Sequence, residues 1–331
     1  MRICEYLMET TDLYKNCRLC PRDCGADRVS GLAGAHCGEG ADLRLAFAGL
    51  HRGEEPPLSG VGGSGTIFVS GCNLGCAFCQ NWQISGGGMG AGDNLGRHVS
   101  TEEFAAICAA LERRGAENIN IVTGSHAVPA IAQGLHAAKA RGLRIPVLWN
   151  SSAYERPQTL ELLDGLVDTW LPDLKTLDSD LAARFFRAPD YPRVAAEAIR
   201  WMANNRPHSV IVRHLILPGH LESTREVLRW FAGNAAGNAA GKAAGRAALS
   251  LMSQYTPMPQ PAGRSLEQPE RFVSRREYET VLGWLEEFGI EDGFCQELVT
   301  GSDWLPDFGR PNPFSSGLSV PVWHFAENIV H

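Results

Sequence analysis

The chain has 331 residues, of which 44% are hydrophobic, and its 30 basic and 37 acidic residues give a net charge of −7. This composition allows one large packed core with a small appendage, and the acidic balance argues against nucleic acid or an anionic membrane as a partner. No apolar run is long enough to span a bilayer, and residues 1–10 lack the apolar stretch of a signal peptide. We therefore expect a soluble protein of the cytoplasm.

Ten cysteines are many for a chain of this size, and seven of them fall in two tight groups. Without a signal peptide, such grouping predicts metal or redox ligands in a reducing compartment rather than disulfides. Cys4, Cys108 and Cys295 stand outside the two groups. Cys108 lies in a helical pattern, where a small buried thiol is expected.

The first cysteine group lies near the N-terminus, in a segment with several Gly and Pro residues and little periodicity. Cys17, Cys20, Cys24 and Cys37 offer four thiolates with the spacing C-x2-C-x3-C-x12-C. Four thiolates complete either a structural zinc site or an iron–sulfur cluster that relays electrons or shapes the substrate entrance, and the spacing fits both. The sequence predicts that residues 1–60 contain a small knuckle held together by this metal.

From about residue 64 onwards, six short apolar runs alternate with amphipathic segments. The runs cover residues 66–70, 119–123, 146–149, 167–171, 210–217 and 248–252. Helical periodicity covers residues 101–114, 127–141, 156–164, 178–204, 222–232 and 274–290. Apolar strands that alternate with helices predict parallel βα units. The predicted fold class is therefore α/β, a partial (βα)6 TIM-like barrel over residues 61–300.

Two segments stand apart from this alternation. Residues 233–247 read GNAAGNAAGKAAGRA, a low-complexity stretch whose glycines weaken any helix. We expect a flexible insertion on the surface and assign it no function. Residues 301–331 are rich in Gly, Pro and aromatic residues, and we expect this C-terminal extension to pack across the barrel.

The second cysteine group follows the first predicted strand, where Cys72, Cys76 and Cys79 have the spacing C-x3-C-x2-C. A structural zinc site normally takes four protein ligands, whereas this loop supplies three. A [4Fe–4S] cluster on three thiolates keeps one iron open, and that iron can hold the amino and carboxylate groups of S-adenosylmethionine. The loop also lies at a strand's carboxyl end, where barrel enzymes carry their active sites.

This loop resembles the signature of the radical S-adenosylmethionine (radical SAM) superfamily, and Phe78 before the third cysteine fits the resemblance. The string Cys-Ala-Phe-Cys-Gln-Asn is similar to the loop of pyruvate formate-lyase-activating enzymes and their uncharacterised relatives. The resemblance covers most of residues 60–300. It implies a barrel of the radical SAM type that binds a [4Fe–4S] cluster through Cys72, Cys76 and Cys79, together with S-adenosylmethionine.

The resemblance also implies cofactor contacts in the turns that follow the second and third strands. Gly124 and Ser125 occupy the family's Gly-rich turn for the methionine amino group, although Ser125 and His126 replace the usual Gly-Glu pair. Asn150 and Ser152 match a polar turn near the ribose. These four residues are predicted to bind S-adenosylmethionine.

Further contacts are implied at the fourth, fifth and sixth strands. Asp173 is expected to help bind a cation and Lys175 to contact the methionine carboxylate, with a solvated turn as the alternative for both. Arg213 matches an arginine that faces the site, and a substrate carboxylate is one candidate for its partner. Gln254 or Thr256 would stand near the adenine, where activating enzymes carry a histidine.

Five other polar residues have weaker signals. His126 and His214 fit hydrogen-bonded core histidines as well as a direct role in the site. His51, Glu54 and Glu55 precede the barrel and can either line the substrate side or form a solvated linker.

By resemblance, S-adenosylmethionine is cleaved reductively to a 5′-deoxyadenosyl radical that abstracts hydrogen from a substrate. The favoured substrate is the glycine Cα–H of a glycyl radical enzyme such as pyruvate formate-lyase, with flavodoxin or ferredoxin as electron donor and an anaerobic setting. Two alternatives stay open: a radical SAM enzyme acting on a small molecule or peptide, and a non-catalytic iron–sulfur or zinc protein. An activase predicts a large open barrel mouth, whereas a small-molecule enzyme predicts a closed pocket.

Overall fold

A computed structural model describes residues 11–31, 34–86, 94–206, 209–236, 247–258, 267–315 and 317–327. The strands are β1 (Arg44–His51), β2 (Ser64–Val69), β3 (Arg97–His98), β4 (Ile119–Val122), β5 (Val147–Ser151), β6 (Thr169–Pro172), β7 (Ile211–Leu215), β8 (Ala248–Met252), β9 (Gly293–Cys295) and β10 (Ser319–His324). The α-helices are α1 (Pro56–Ser59), α2 (Thr101–Arg113), α3 (Val128–Ala140), α4 (Pro157–Leu160), α5 (Ser179–Phe186), α6 (Tyr191–Asn205), α7 (Leu221–Asn234) and α8 (Arg275–Glu287). Cys4 and most of the low-complexity stretch lie outside the described residues.

Six parallel strands follow one another in the order of the chain. Hydrogen bonds join β2 to β4, β4 to β5 and β5 to β6 in one sheet, and β7 to β8 in another. Two isolated parallel bridges, Trp170–Val210 and Asp173–Arg213, connect β6 to β7 across the boundary between these sheets. The six strands coincide with the six predicted apolar runs, so the predicted α/β fold with a parallel sheet is confirmed.

The ends of this array differ from each other. At one end, β1 pairs antiparallel with β2, β10 and β3. At the other end, β9 pairs parallel with β8. Strand pairing within the described ranges does not join β9 to β10, so the strands form an open, partial barrel. Strand β1 was not among the predicted strands, although its six central residues are all buried.

The helices begin where their sequence signals place them. The Ser100 side chain accepts a hydrogen bond from the backbone N–H of Glu103 and caps α2. Ser274 and Glu277 form a complete capping box at the start of α8. Helix α2 also buries Cys108, which is 0% exposed, as expected for a small core thiol.

The C-terminal segment packs against the antiparallel edge of the sheet. Strand β10 pairs with β1, and Phe308 is fully buried with Phe47 and Phe68 in a separate aromatic cluster. The ring centroids of Phe68 and Phe308 are 5.2 Å apart in an edge-to-face arrangement. This cluster fixes residues 304–315 beside the carboxyl ends of the parallel strands.

In the part of the chain that the structure describes, none of the helices is long and apolar enough to cross a membrane.

Truncating Phe308 tests how much the C-terminal segment contributes to stability. Because the ring is fully buried, Phe308→Ala should lower the free energy of unfolding by about 3–5 kcal/mol. The matched control is Val61→Ala, since Val61 is 93% exposed, and its effect should stay within about 0.5 kcal/mol. Urea unfolding measures both, and equal midpoints for the two variants would contradict the packing described.

Candidate functional site

A cavity of about 400 Å³ lies at the carboxyl ends of the parallel strands. This is the face at which parallel barrels place their active sites. The residues predicted from the sequence that line the cavity are His51, Glu54, Cys72, Cys76, Phe78, Cys79, Asn150, Ser152, Asp173, Lys175, Arg213 and Gln254. The structure therefore brings together residues that lie as far apart in the chain as His51 and Gln254.

Other predicted residues lie elsewhere in the described structure. Gly124, Ser125, His126, His214 and Thr256 are not among the residues that line this cavity. A Cβ at Gly124 would lie 2.6 Å from both Ile131 Cδ1 and Trp149 Cη2. The glycine therefore permits close packing behind the cavity wall.

Ser125 belongs to a buried hydrogen-bond network around Glu155. The Glu155 carboxylate accepts hydrogen bonds from Ser125 Oγ (2.7 Å), Trp149 Nε1 (2.8 Å) and Ser151 Oγ (2.7 Å). Burial raises the pKa of Glu155, while these three donors oppose the shift. Glu155 thus ties the turn after β4 to the turn after β5 and positions the cavity-lining Ser151 and its neighbours.

The two histidines near the strand ends are core residues. His126 Nε2 lies 2.8 Å from the Ser70 carbonyl oxygen, and His214 lies between the Leu174 carbonyl oxygen (2.7 Å) and Thr224 Oγ1 (3.0 Å). Burial lowers the pKa of His126 to about 3 and the pKa of His214 to about 4. Both rings are therefore neutral at neutral pH and support the strand ends rather than face the cavity.

The cysteine loop turns sharply at two glycines. Gly71 and Gly75 have φ angles of +87° and +75°, a region that side chains with a Cβ rarely adopt. The turn at Gly71 directs Cys72 away from β2, and the backbone N–H of Leu74 points at Cys72 Sγ from 3.4 Å. Three thiols from eight residues therefore reach the same cavity.

The donor set of this loop fits an iron–sulfur cluster. All three cysteines are free of disulfides and line the cavity. Burial raises the pKa of Cys79 to about 11, with the neighbouring Cys72 adding to the shift. Across the described ranges, no three Cys, His, Asp or Glu side chains already surround a common metal position. The loop thus supplies three adjacent thiols with room beside them, which is what a three-cysteine cluster requires.

Lys175 faces the cysteine loop from the end of β6. Its Nζ lies 2.6 Å from Asp173 Oδ2. Burial by itself would lower the pKa of Lys175, but the Asp173 carboxylate and the Cys76 thiol raise it. Lys175 is therefore a fixed cation beside the cluster loop.

Arg213 has protein carboxylates as its partners rather than a free binding face. Its guanidinium pairs with Glu54 and Glu55, and its Nε lies 2.9 Å from Glu55 Oε1. Burial would raise the pKa of Glu55, but Arg213 outweighs burial and lowers it. The suggestion that a substrate carboxylate partners Arg213 is corrected, since two glutamates already occupy its donors. The alternative that Glu54 and Glu55 belong to a solvated linker is also wrong.

Sequence reasoning missed several residues of the cavity wall. Thr123 has a φ angle of +64°, which is strained for a β-branched residue, and it lines the cavity. Trp304, Pro306 and Phe314 of the C-terminal segment also line it. The glycine after Thr123 hinted at a turn, but no local pattern indicated which C-terminal aromatics reach the site.

The N-terminal cysteines lie outside this cavity. Cys17, Cys20 and Cys37 are buried, whereas Cys24 is exposed. Burial raises the pKa of Cys20 to about 11, and Cys37 and Cys17 raise it further. The thiols of Cys17 and Cys37 are therefore close enough to Cys20 to influence its charge, but in the part of the chain that the structure describes these cysteines do not surround one metal position.

Sequence comparison identifies the family. The sequence model described as the radical SAM superfamily matches residues 66–231, half of the chain. A relative, an uncharacterized protein of Methanocaldococcus jannaschii, is 28% identical over 286 residues that span 85% of this chain and 77% of the relative.

Two solved structures match part of this chain. A radical SAM methyltransferase from Sphaerobacter thermophilus has 18% identity, a TM-score of 0.49 and a match to 70% of this chain. SuiB of Streptococcus suis, whose crystal structure is bound to S-adenosylmethionine, has 15% identity, a TM-score of 0.44 and a match to 68% of this chain. The present chain spans 66% of the methyltransferase chain and 45% of the SuiB chain.

Removing the Arg213 cation tests the buried ion cluster. Arg213→Met leaves two glutamates beside each other without a cation, which should lower the free energy of unfolding by about 3–5 kcal/mol at neutral pH. The exposed pair of Arg193 and Glu197 provides the control, and Arg193→Met should cost at most about 1 kcal/mol. Urea unfolding of both variants measures the difference.

The pH dependence of the free energy of unfolding should also differ between the wild type and Arg213→Met. Because the folded pKa of Glu55 is lowered, the pair stabilises the wild type above the unfolded pKa and loses this contribution as the pH falls through the folded value. In Arg213→Met, the cation that opposes the effect of burial is gone, so the pKa of Glu55 rises. The variant's deficit in the free energy of unfolding, relative to the wild type, should therefore shrink on acidification. A deficit that is the same at neutral and mildly acidic pH would contradict this assignment.

Proposed function

The chain belongs to the radical SAM superfamily, and from this membership we propose that it cleaves S-adenosylmethionine reductively. When bound by Cys72, Cys76 and Cys79, a [4Fe–4S] cluster supplies the electron that cleaves S-adenosylmethionine to methionine and a 5′-deoxyadenosyl radical, which abstracts hydrogen from a substrate. The observation that carries the proposal is the convergence of these three thiols and the polar ends of five other strands on one cavity.

The polar residues of the cavity wall divide into three sets by position. Lys175 lies next to Cys76, where it is placed to bind the methionine carboxylate of a cofactor held at the loop. Asn150 and Ser152 line the same cavity from the neighbouring strand end and are placed to bind ribose hydroxyls. Gln254 is held by a 2.8 Å hydrogen bond from Gln296 Nε2 and is the candidate for the adenine.

For the substrate, the geometry favours a small polar molecule or a short peptide segment. Trp304, Pro306 and Phe314 of the C-terminal segment line part of the cavity. These side chains are placed to keep bulk water from a reactive intermediate, which is a requirement of radical chemistry. Glu54, Asp173 and Lys175 add charged groups to the wall, and a substrate with polar groups can pair with them.

Activation of a glycyl radical enzyme is the second candidate. The loop string Cys-Ala-Phe-Cys-Gln-Asn supports it, because the same string is similar to activating enzymes. A protein substrate would have to insert a glycine-bearing loop past Trp304 and Phe314. Either substrate class needs an external one-electron donor, for which flavodoxin and ferredoxin are the proposed types.

Reductive cleavage of the cofactor tests the proposal. Wild type reconstituted anaerobically with iron and sulfide should form 5′-deoxyadenosine from S-adenosylmethionine when dithionite is added. The Cys72→Ala/Cys76→Ala/Cys79→Ala variant should form none, because it lacks the cluster ligands. Cys295→Ser is the matched control, since Cys295 is an exposed thiol outside both cysteine groups, and it should retain wild-type activity.

The outcomes separate the three functional classes. Product from the cluster-loaded wild type without any partner protein would establish the reductive cleavage and leave the substrate open. Product that requires an added glycyl radical enzyme favours the activase. If the protein with a fully loaded cluster forms no product under either condition, the proposal is wrong. The protein would then be a non-catalytic iron–sulfur protein.

Replacing Lys175 tests its role in cofactor binding. Lys175→Met removes one charge-assisted contact, which should weaken S-adenosylmethionine binding by about tenfold to a hundredfold. Equilibrium dialysis against the cluster-loaded protein measures the Kd. The Asp173→Asn/Lys175→Met double variant controls for the carboxylate left without its cation. An unchanged Kd in both variants would remove Lys175 from the binding site.

A further inference from the structure

The cavity extends from the cysteine loop into the interior of the barrel. Glu54 lines it, and Asn120 Nδ2 donates a hydrogen bond to Glu54 Oε1 at 3.0 Å. Asn120 lies opposite Thr66 in the parallel pairing of β4 with β2. Because Thr66 is three residues before the end of β2, the Glu54 carboxylate lies roughly 10 Å deeper in the barrel than that end, at a rise of about 3.3 Å per residue. The cavity therefore has an inner end at Glu54 and an outer end at the cysteine loop.

The inner end of the cavity carries more negative than positive charge. Glu54 and Glu55 share the guanidinium of Arg213, and within the described ranges no second cation pairs with either carboxylate. Nearer the cysteine loop, by contrast, Asp173 and Lys175 balance each other. Two carboxylates against one guanidinium leave one negative charge unbalanced, and Glu54 is the carboxylate of the two that lines the cavity.

His51 does not supply the missing positive charge. Its ring also lines the cavity and packs edge-on against the ring of Phe314, with the ring centroids 4.8 Å apart. Burial lowers the pKa of His51, Glu54 opposes this shift, and Arg213 adds to it. The ring is therefore neutral at neutral pH, and the negative charge at Glu54 is left without a counterion.

The neutral ring of His51 provides a hydrogen-bond donor instead. Its Nδ1 accepts a hydrogen bond from the backbone N–H of Gly53 at 3.1 Å, so the ring proton is assigned to Nε2. In the part of the chain that the structure describes, this Nε2 has no hydrogen-bond partner. The inner end thus offers a ligand one charged acceptor, Glu54, and one neutral donor, His51 Nε2.

A second acceptor beside Glu54 is also unused. Asn120 Oδ1 is buried, and none of the described residues donates a hydrogen bond to it. Buried acceptors are normally paired. An ammonium or guanidinium group carries several N–H donors, whereas a carboxylate carries none. A cation at the inner end therefore satisfies the unused acceptors as well as the unbalanced charge.

From these observations we propose that the substrate carries a cationic nitrogen, as an ammonium or guanidinium group, that binds to Glu54, and an oxygen that accepts a hydrogen bond from His51 Nε2. This inference rests on the proposed function, because it names the substrate class of the same cavity. Glu54 and His51 determine specificity and lie at the inner end of the cavity. The carbon that loses its hydrogen accordingly lies on the outer side of the recognised groups, towards the cysteine loop.

Binding of matched small molecules at neutral pH tests the preference for a cation. The probes are glycinamide, β-alaninamide and 4-aminobutanamide, which vary the distance between nitrogen and oxygen, each with the counterpart in which a neutral hydroxyl replaces the ammonium group. Isothermal titration calorimetry with the full-length wild type, without S-adenosylmethionine or reductant, measures each Kd. We expect at least one amine to bind at least about tenfold more tightly than its counterpart, because its contact with Glu54 is charge-assisted. Equal affinities within all pairs, or no saturable binding of any amine, would overturn the proposal.

Two substitutions assign the preference to the named residues. Glu54→Gln keeps the length of the side chain and leaves Glu55 to pair with Arg213, and it should abolish the preference for the amine. His51→Phe should weaken an amine and its counterpart by the same factor, since it removes the donor to their common amide oxygen. The matched control is Glu279→Gln, which removes the same charge from an exposed position of α8 and should keep the wild-type preference. A preference that persists in Glu54→Gln would refute the assignment.

The calorimetric measurement involves no radical chemistry, so this inference and the proposed function fail separately. A preference for the amines without formation of 5′-deoxyadenosine in the cleavage assay would keep the binding site and refute the proposed reaction. Formation of 5′-deoxyadenosine by a protein that shows no preference for the amines would keep the reaction and refute the cationic substrate class.

Discussion

The parallel order of six strands is the constraint on which the site depends. Each strand's carboxyl end lies at the same edge, so the residue that follows each strand faces the residues that follow its neighbours. The weakest point of the array is the boundary between β6 and β7, which two isolated bridges cross. Charged side chains flank that boundary: Asp173 pairs with Lys175 on one side, and Arg213 pairs with two glutamates on the other. Ion pairing thus supports the wall where backbone pairing is sparse.

Local sequence patterns were sufficient for the parallel strands, the helices and the cysteine loop. Apolar runs, caps and cysteine spacing act over a few residues, and the chain satisfies them locally. Strand β1 escaped prediction although its central residues, LAFAGL, form an apolar run like those of the other strands. Its pairing with β10, in which Phe47 lies opposite His324, and the aromatic cluster around Phe308 had no local signal, because period and composition carry no information about pairing across that separation.

The roles of polar residues were harder to predict, because a role depends on partners that tertiary structure supplies. Arg213 was recognised as a residue needing an anion, yet the sequence did not show that Glu54 and Glu55 fold back to meet it. Ser125 was assigned to the cofactor, whereas Glu155 accepts its hydrogen bond. The role of Glu155 was not predicted, because a lone glutamate after a strand resembles any exposed turn residue. Its burial and its three hydrogen-bond donors identify its function.

The wall of the cavity is held from two sides. On the side of the cysteine loop, Arg22 makes four hydrogen bonds to backbone carbonyls, and Asn73 Nδ2 donates to the Tyr154 carbonyl at 2.7 Å. On the side of the C-terminal segment, Phe308 is buried in the aromatic cluster, and its backbone N–H donates to Gln83 Oε1 at 2.8 Å. Because Gln83 follows the cysteine loop in the chain, contacts with distant parts of the sequence hold the backbone both within the loop and beyond it.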